Sequence, residues 1–588
     1  MPSALTYPGV YVEEIPSGVR TITGVATSIT AFIGRAVRGP VNDPTTVNSF
    51  GDFERLFGGL DAGYPMSYAV RDFFLNSGSQ ALIVRLFTPA GKATDGKART
   101  TVDNIKLVAA SEGSWGNKLR VAIDVNVSAD VRTKMGLQAS DFLFNLTIRD
   151  TNPGGATEQF RNLTIVDSSR RIDQVLANQS NLVAWDGVWA KPADLPKVKI
   201  AAAAQLTLNT ALTAKPQVPA DIDAAKKALA NALNNLIDAA STAENELAAA
   251  LAAKPQVPAD IAKAEQDIAD AEKTMNGSDS LPLDPPTYEG DENNKTGIFA
   301  LAKADLFNLL CIPPDTQDGD TSSDVYQAAM MYCQARRAML IVDSPAAWSA
   351  NPNTAAANAK KGLPDLGLFG EAARNAALYF PRVLESNPLH DSQTESFVPC
   401  GIVAGIMART DTSRGVWKAP AGLDAALAGV QGLDVNLNDA DNGTLNQLGI
   451  NCLRTFPVAG RVVWGARTLR GADQAADEYK YIPVRRTALY LEESLYRGLK
   501  WVVFEPNDEP LWAQIRLNVG AFMQNLFRQG AFQGSTPKDA YFVKCDKETT
   551  TQNDINLGIV NVVVGFAPLK PAEFVVIKLQ QMAGQIQT

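Results

Sequence analysis

The residue types that most often carry catalysis are scarce in this chain. A single histidine, His390, occurs in 588 residues. A Ser-His-Asp triad requires a histidine that a carboxylate holds and that points at a nucleophile. His390 lies in the loop-forming stretch Ser-Asn-Pro-Leu-His-Asp, and no Gly-x-Ser-x-Gly elbow accompanies it. We expect an exposed loop histidine rather than a general base.

One stretch matches a phosphate-binding loop in part. Gly91–Lys97 fits Gly-x-x-x-x-Gly-Lys and follows an apolar run at 81–87. A P-loop continues with Ser or Thr, which holds magnesium, and with a helix whose N-terminus faces the phosphates. Here Ala98 follows, and residues 99–102 do not begin an apolar helix. The pattern favours a surface loop.

Cysteines and carboxylates add no readable site. Asp343, at the end of a predicted strand, and Asp52, in a predicted turn, have no partner in sequence and are expected to cap helices or turns. The five cysteines are scattered, odd in number and without a Cys-x-x-Cys pair, so we expect buried free thiols. They are Cys311, Cys333, Cys400, Cys452 and Cys545. The sequence predicts no catalytic residue, no cofactor and no metal site.

Composition limits the class of protein. A chain of 588 residues is too long for one core and predicts about three or four domains. The net charge of −9 argues against nucleic acid as a partner. No apolar run is long enough for a membrane helix, which predicts no direct membrane insertion. Met1–Leu5 lacks the basic and apolar regions of a secretory signal, which predicts synthesis in the cytoplasm.

Alternating strands and helices predict an α/β region in two parts. Strand patterns at 29–34 and 81–87 enclose helical patterns at 49–58 and 67–76. The same order resumes later in the chain, with strands at 307–313 and 338–343 and a helix at 324–337. Such alternation favours a parallel sheet that continues across an insertion.

The insertion contains two kinds of sequence. Residues 100–195 hold short strand patterns, and 198–275 are rich in alanine with helical spacing. The nonapeptide Ala214–Ile222 recurs unchanged as Ala253–Ile261. We predict helices joined by proline turns that project from the body, followed by a polar linker at 276–296. Two interpretations of the alanine-rich segment stay open, a solvated surface and a partner-binding arm.

Both ends of the chain carry strand patterns. Residues 6–15 alternate apolar and polar side chains, and 558–566 and 574–579 are rich in valine. These strands either close the chain's own sheet or add to a sheet of another molecule. A long helix is predicted over 511–528.

Several segments, in order, resemble the tail sheath proteins of contractile phages and of phage-tail-like contractile injection systems. The resemblance covers residues 5–125 and 298–580 and leaves out 198–275. The similar segments are Tyr7–Glu14, Trp115–Asn117, Asp411–Ala421 (DTSRGVWKAPA), Gly460–Thr468 (GRVVWGART), Gly530–Gly534 and Ala567–Phe574 (APLKPAEF).

The resemblance implies an α/β and α+β multidomain fold, with a subtilisin-like α/β region that has no protease activity. It implies a structural subunit that forms a helical stack of hexameric rings around an inner tube protein, with baseplate and terminal cap proteins as further partners. Contraction of the sheath would drive the tube through a target envelope. A hydrolase, or a baseplate part of the same particle, is the alternative.

The resemblance also implies terminal arms that exchange strands between subunits. The implied arm residues are Tyr7, Val10, Val12, Ile15, Val560, Val562, Val564, Phe574 and Val576. Arg516 and Arg528 of the long helix are candidates for contact with an acidic tube, with a solvated surface as the alternative. The predicted divisions are an N-terminal arm (1–20), the two parts of the α/β core (21–99 and 297–395), a β-rich outer domain (100–197), an Ala-rich helical insertion with linker (198–296), a tube-facing C-terminal domain (396–555) and C-terminal strands with an arm (556–588).

Overall fold

The structure, a computed structural model, describes residues 20–91, 95–127, 129–138, 141–192 and 194–579. Its strands are β1 (Thr30–Gly34), β2 (Thr45–Val47), β3 (Ala81–Arg85), β4 (Arg99–Val102), β5 (Ile105–Ala109), β6 (Leu119–Asp124), β7 (Phe144–Asp150), β8 (Thr157–Leu163), β9 (Val183–Trp185), β10 (Leu309–Cys311), β11 (Met339–Asp343), β12 (Ala376–Phe380), β13 (Val383–Asn387), β14 (Gln393–Phe397), β15 (Val430–Leu433), β16 (Ile450–Phe456), β17 (Gly460–Val463), β18 (Tyr541–Lys544) and β19 (Val563–Phe566).

The α-helices are α1 (Phe50–Phe57), α2 (Met66–Leu75), α3 (Ala129–Lys134), α4 (Ile172–Gln179), α5 (Pro196–Thr213), α6 (Pro219–Leu233), α7 (Ala239–Ala252), α8 (Pro258–Thr274), α9 (Pro285–Glu289), α10 (Ser323–Ala335), α11 (Ala355–Gly362), α12 (Cys400–Arg414), α13 (Asp439–Asn446), α14 (Ile482–Gly498), α15 (Glu509–Arg528), α16 (Pro537–Ala540) and α17 (Gln552–Asn556).

An eight-stranded sheet forms the centre of the molecule, in the order β17-β16-β12-β11-β10-β1-β3-β2. Its strands from β16 to β3 are parallel, and β17 and β2 add antiparallel edges. β1 pairs with both β3 and β10. The parallel sheet therefore continues across the insertion, as the alternating pattern predicts.

Helices cover both faces of this sheet. α10 and α11 pack on one face, and α1, α2 and α12 pack on the other. α12 crosses α2 closely because Gly401 and Gly405 lie at the contact; a Cβ at Gly401 would be 2.0 Å from the Ala69 carbonyl oxygen. Local sequence sets the ends of α1, where Ser49 accepts a hydrogen bond from the Asp52 amide and Gly58 takes a left-handed conformation.

The boundary predicted at residue 396 does not coincide with the limit of the sheet. β16 pairs in parallel with β12, and β17 pairs with β16, so the sheet extends to Val463. The segment between these strands forms α12, which packs on the same core, and β15, which pairs with β13 beside the sheet. The chain thus returns to the sheet after residue 396, and the predicted division there stays a prediction.

The two predicted parts of the insertion share one core. Phe144 and Ile123 of the β-rich part are buried together with Val198, Ala201 and Leu236 of the helical part. The junction between α6 and α7 also adds to β6, where the Ile123 amide donates to the Leu236 carbonyl over 2.8 Å. The two predicted parts therefore pack together, and the division at residue 197 stays a prediction.

The repeated nonapeptide forms the tips of two helical hairpins, α5–α6 and α7–α8. Each copy turns through its first proline and begins a helix at its second, as predicted for helices joined by proline turns. The two turns are alike in detail. The side-chain amide of Gln217 donates to the Leu212 carbonyl over 2.5 Å, and that of Gln256 donates to the Leu251 carbonyl over 2.6 Å. A duplicated sequence has thus kept one conformation at both tips.

The C-terminal region holds a smaller core of its own. α15, with Asp508 as its N-cap and Pro510 in its first turn, buries an apolar side that includes Trp512, Ile515 and Val519. β18 and β19 form a two-stranded sheet that packs against this helix. Among the described residues, no helix is both long and apolar enough to cross a membrane.

Candidate inter-subunit site

The arm residues predicted at the two ends meet different outcomes. Tyr7, Val10, Val12 and Ile15 lie outside the described residues, so their role stays a prediction. Val564 lies in β19 and faces Val543 of β18 in the same chain.

Val560 and Val562 precede β19 and are half-buried against the C-terminal core. In the structure β19 therefore pairs with a strand of its own chain. That sheet has only two strands, so β18 and β19 each keep one edge without a partner strand in the described chain.

The chain after Glu573 is extended and exposed. Phe574 is 77% exposed and Val576 78% exposed. Val575, Ile577 and Leu579 are equally open to solvent, and the segment has no strand partner within the described residues. A run of apolar side chains with unpaired backbone groups is a surface that favours strand addition.

Glu573 fixes the root of this exposed segment. Its two carboxylate oxygens accept hydrogen bonds from Nε and Nη2 of Arg467 over 2.8 and 2.6 Å. The Tyr481 hydroxyl donates to the same carboxylate over 3.2 Å. Partial burial alone would raise the pKa of Glu573, but the hydrogen bonds and charge of Arg467 hold it below its usual value. The pair is ionised and bidentate.

Arg467 is itself fully buried, and each of its three guanidinium nitrogens donates a hydrogen bond. Its Nη1 donates to the carbonyl of Asn446 and to the carboxylate of Asp473, over 2.8 and 2.9 Å. Its backbone amide donates to the Asn451 side chain over 2.7 Å, and Asn451 belongs to β16 of the central sheet. The C-terminal segment is thereby connected to the α/β sheet. We name the pair of Arg467 and Glu573 the root clamp.

A groove of about 680 Å³ lies beside the root clamp. Residues within 414–421 and 464–466, which belong to the quoted motifs, line it together with 569–574. Trp417, Trp464 and Phe574 give it an apolar wall, and Lys418 a cationic one. Burial and the nearby charge of Arg414 lower the pKa of the Lys418 ammonium. The groove suits an extended segment that carries aromatic and acidic side chains.

The two arginines of the long helix differ in their surroundings. Arg516 donates to the Cys545 carbonyl and forms an ion pair with Glu509 at 2.6 Å. Arg528, in the last turn of α15, is exposed. Of the two, Arg528 is the one whose charge is presented outward.

Residues weighed for chemistry occupy structural positions. His390 lies in the turn between β13 and β14, half exposed, with Nδ1 2.6 Å from Glu395. Asp343 accepts a hydrogen bond from the Cys400 amide over 2.9 Å and so caps α12, as expected. Burial, partly offset by the Cys400 hydrogen bonds, raises the pKa of Asp343 to about 7. Asp52 lies in the first turn of α1 rather than in a free turn. All five cysteines are free and buried, as predicted.

Comparison with known proteins finds similarity to phage tail sheath proteins. Residues 293–469 match the family model for the central domain of the phage tail sheath protein, and 474–581 match that for the phage tail sheath C-terminal domain. Over these two stretches the chain is similar to phage tail sheath proteins. A tail sheath protein of Vibrio phage KVP40 is 33% identical over 127 residues, which are 21% of this chain and 18% of that protein. The match therefore spans under a fifth of the phage protein's length.

Solved structures of sheath proteins share the fold. The contracted-state sheath of an extracellular contractile injection system, PVC, is 18% identical with a TM-score of 0.51, over 98% of each chain. A sheath tail protein from Listeria innocua is 12% identical with a TM-score of 0.53, over 93% of this chain and 96% of that one. At these identities the likeness concerns the mixed α/β multidomain fold.

The root clamp was not predicted from the sequence. Arg467 and Glu573 both lie inside segments that resemble the family, but 106 positions separate them. The signal present in the sequence was the co-occurrence of the two motifs, and only the fold shows that they touch.

Proposed function

We propose that this chain is the structural subunit of a contractile sheath. Its copies assemble as stacked hexameric rings around an inner tube, and contraction drives the tube through a target envelope. The observation that carries the proposal is the exposed apolar segment 574–579, held at its root by Arg467, in a chain that is similar to phage tail sheath proteins. Such a segment is suited to add a strand to a neighbouring copy.

Strand exchange between subunits is part of the proposal. Each strand of the β18–β19 sheet has an edge that pairs with no strand of the described chain, and these edges are the acceptors we propose for arms of neighbouring subunits. The N-terminal segment, with Tyr7, Val10, Val12 and Ile15, is the second donor. Main-chain hydrogen bonds hold such arms while the rigid bodies rotate.

The other partners follow from the same assembly. We propose that Arg528 on α15 contacts an acidic inner tube, while Arg516, already paired with Glu509, contributes less. Baseplate and terminal cap proteins are the partners at the ends of the stack. Particle assembly in a phage tail or an injection device after cytoplasmic synthesis completes the proposal.

We propose that the α/β region has a subtilisin-like fold and no hydrolytic role. His390 lies in an exposed turn, and Asp343 is buried as a helix cap. These positions support a structural use of both residues rather than a shared active site.

Negative-stain microscopy of the purified chain tests the assembly. We expect hollow striated cylinders, and a chain that stays monomeric at all concentrations would refute the sheath function. Deletion of residues 1–20 should leave a folded subunit that does not polymerise.

A point variant tests strand addition by the C-terminal segment. Val576→Pro removes a backbone N–H donor, whereas the matched control Val576→Thr keeps it and remains β-branched. We expect cylinders from the threonine variant and mostly unassembled subunits from the proline variant. Equal assembly of the two variants would refute backbone pairing at this position.

A further inference from the structure

The root clamp is the only ion pair in the described chain between the small C-terminal sheet and residue 579. β19 ends at Phe566, and the chain then bridges Phe532 through Pro568. After this bridge the next polar side-chain contact is that of Glu573 with Arg467. A pull on residues 574–579 therefore reaches the body of the protein first through Glu573.

We infer that the root clamp is a mechanical anchor, through which a pull on the C-terminal segment is passed to the central sheet. The inference rests on the proposed function, since a neighbouring subunit must hold the segment for a pull to arise. Glu573 and Arg467 act here as positioning residues, and they set where the arm leaves the body.

The path behind Glu573 is short and made of strong contacts. The guanidinium of Arg467 holds the carboxylate with two parallel hydrogen bonds, the geometry in which this pair is strongest. The amide of Arg467 donates to Asn451 of β16, and the Asn451 side chain donates in turn to the Leu378 carbonyl of β12 over 3.1 Å. Three steps thus lead from the arm to adjacent strands of the eight-stranded sheet.

The linker before Glu573 is stiff, which also supports an anchor at this point. Pro568 and Pro571 fix two backbone angles within the stretch that crosses the groove. Without the clamp, a pull would act on the Pro568 bridge and then on the β18–β19 pairing, which has four residue pairs. With the clamp, the small sheet is shielded and its free edges stay available for strands from neighbours.

The salt bridge could instead serve only to complete the burial of Arg467. Two observations favour an anchor. Asp473 lies 2.9 Å from Arg467, so the guanidinium keeps one carboxylate partner without Glu573, although Lys480 shares that carboxylate at 2.6 Å. Glu573 is also the last residue before the exposed run, and the Tyr481 hydroxyl adds a third contact to it.

The first test measures the mobility of the arm in the unassembled subunit. A spin label at Val576→Cys reports the arm, in chains that carry Glu573 or Glu573→Gln. Glu478→Gln is the matched control, because Glu478 is an exposed carboxylate whose nearest cation, on Arg374, is 3.9 Å away. We expect Glu573→Gln to raise the population of a mobile label by roughly tenfold or more, since a charge-assisted bidentate contact is lost. The melting temperature of each variant is measured beside the label mobility, which separates a loss of global stability from a release of the arm.

The second test applies the pull. Cylinders of the parent chain and of Glu573→Gln are contracted by brief exposure to urea, and their lengths are measured by microscopy. We expect intact contracted cylinders from the parent and from Glu478→Gln, and separated rings or short stacks from Glu573→Gln.

The outcomes separate the two proposals. Equal label mobility or equal cylinder lengths in Glu573→Gln and the parent would overturn the anchor. A parent chain that forms no cylinders would overturn the sheath function and the force path together, and the label would still decide whether Glu573 holds the root. A large fall in melting temperature without a change in label mobility would assign the pair to folding alone and overturn the anchor.

Discussion

Removal of one partner from the buried pair of Asp411 and Arg486 should destabilise the subunit strongly. The two side chains are 4% and 3% exposed. Two hydrogen bonds of 2.8 and 2.6 Å join them, and Thr27 donates to Asp411 over 2.6 Å. The cluster ties the N-terminal stretch to α12 and α14. Arg486→Met should cost about 3–5 kcal/mol, because it leaves a carboxylate buried without its cation.

The pair as a whole should contribute much less than this loss. Burial raises the pKa of Asp411, against the opposing charge and hydrogen bonds of Arg486. The desolvation of the carboxylate thus consumes most of what the attraction provides. The double variant Asp411→Leu with Arg486→Met should therefore recover most of the stability that Arg486→Met loses, about 3 kcal/mol.

Urea unfolding followed by tryptophan fluorescence measures the four corners of this double-mutant cycle. Asp267→Asn is the control, because Asp267 and Lys263 form an exposed pair at 4.0 Å that should contribute less than about 0.5 kcal/mol. An Arg486→Met variant within about 1 kcal/mol of the parent would refute the reasoning, as would a double variant no more stable than Arg486→Met alone.

Two further predictions concern pH and helix packing. The pKa of Asp343 is raised from 3.8 to about 7 by burial, so its contribution to stability is complete below about pH 4 and is lost as the pH rises to about 7, by at most about 4 kcal/mol. Asp343→Asn keeps an acceptor for the Cys400 amide and should gain on the parent between pH 4 and 7 in urea midpoints; a constant difference would contradict this. Gly401→Ala should cost about 1–3 kcal/mol, because the new Cβ would lie 2.0 Å from the Ala69 carbonyl oxygen. Gly443→Ala in α13, where no atom lies within 4 Å, should instead stabilise by about 0.5–1 kcal/mol, and equal melting temperatures for the two variants would refute the packing argument.

Local sequence was sufficient where local physics decides the structure. The cap at Ser49 and the left-handed Gly58 mark both ends of α1, so its bounds are predictable within a residue. The apolar runs that form β1, β3 and β11 are buried on both sides, which is typical of central parallel strands.

Non-local pairing explains most of what sequence did not provide. β16 contains Asn451, Cys452 and Arg454, so its apolar pattern is weak, and its pairing with β12 decides its conformation. The valine-rich sequence of β19 is the same whether the strand pairs inside or outside the chain, so the pattern does not distinguish the two. The root clamp joins residues from two distant motifs, and neither segment alone indicates the contact.

The position of β1 between β3 and β10 has a consequence for synthesis. Residues 86–308 must leave the ribosome before β10 is available to pair with β1. At typical rates of 5–20 residues per second this takes about 11–45 s. During this time one edge of a mostly apolar strand has no partner, and such edges promote aggregation. The rate of translation, and any chaperone that covers nascent edges, should therefore determine the soluble yield of this chain more than the stability of the finished fold does.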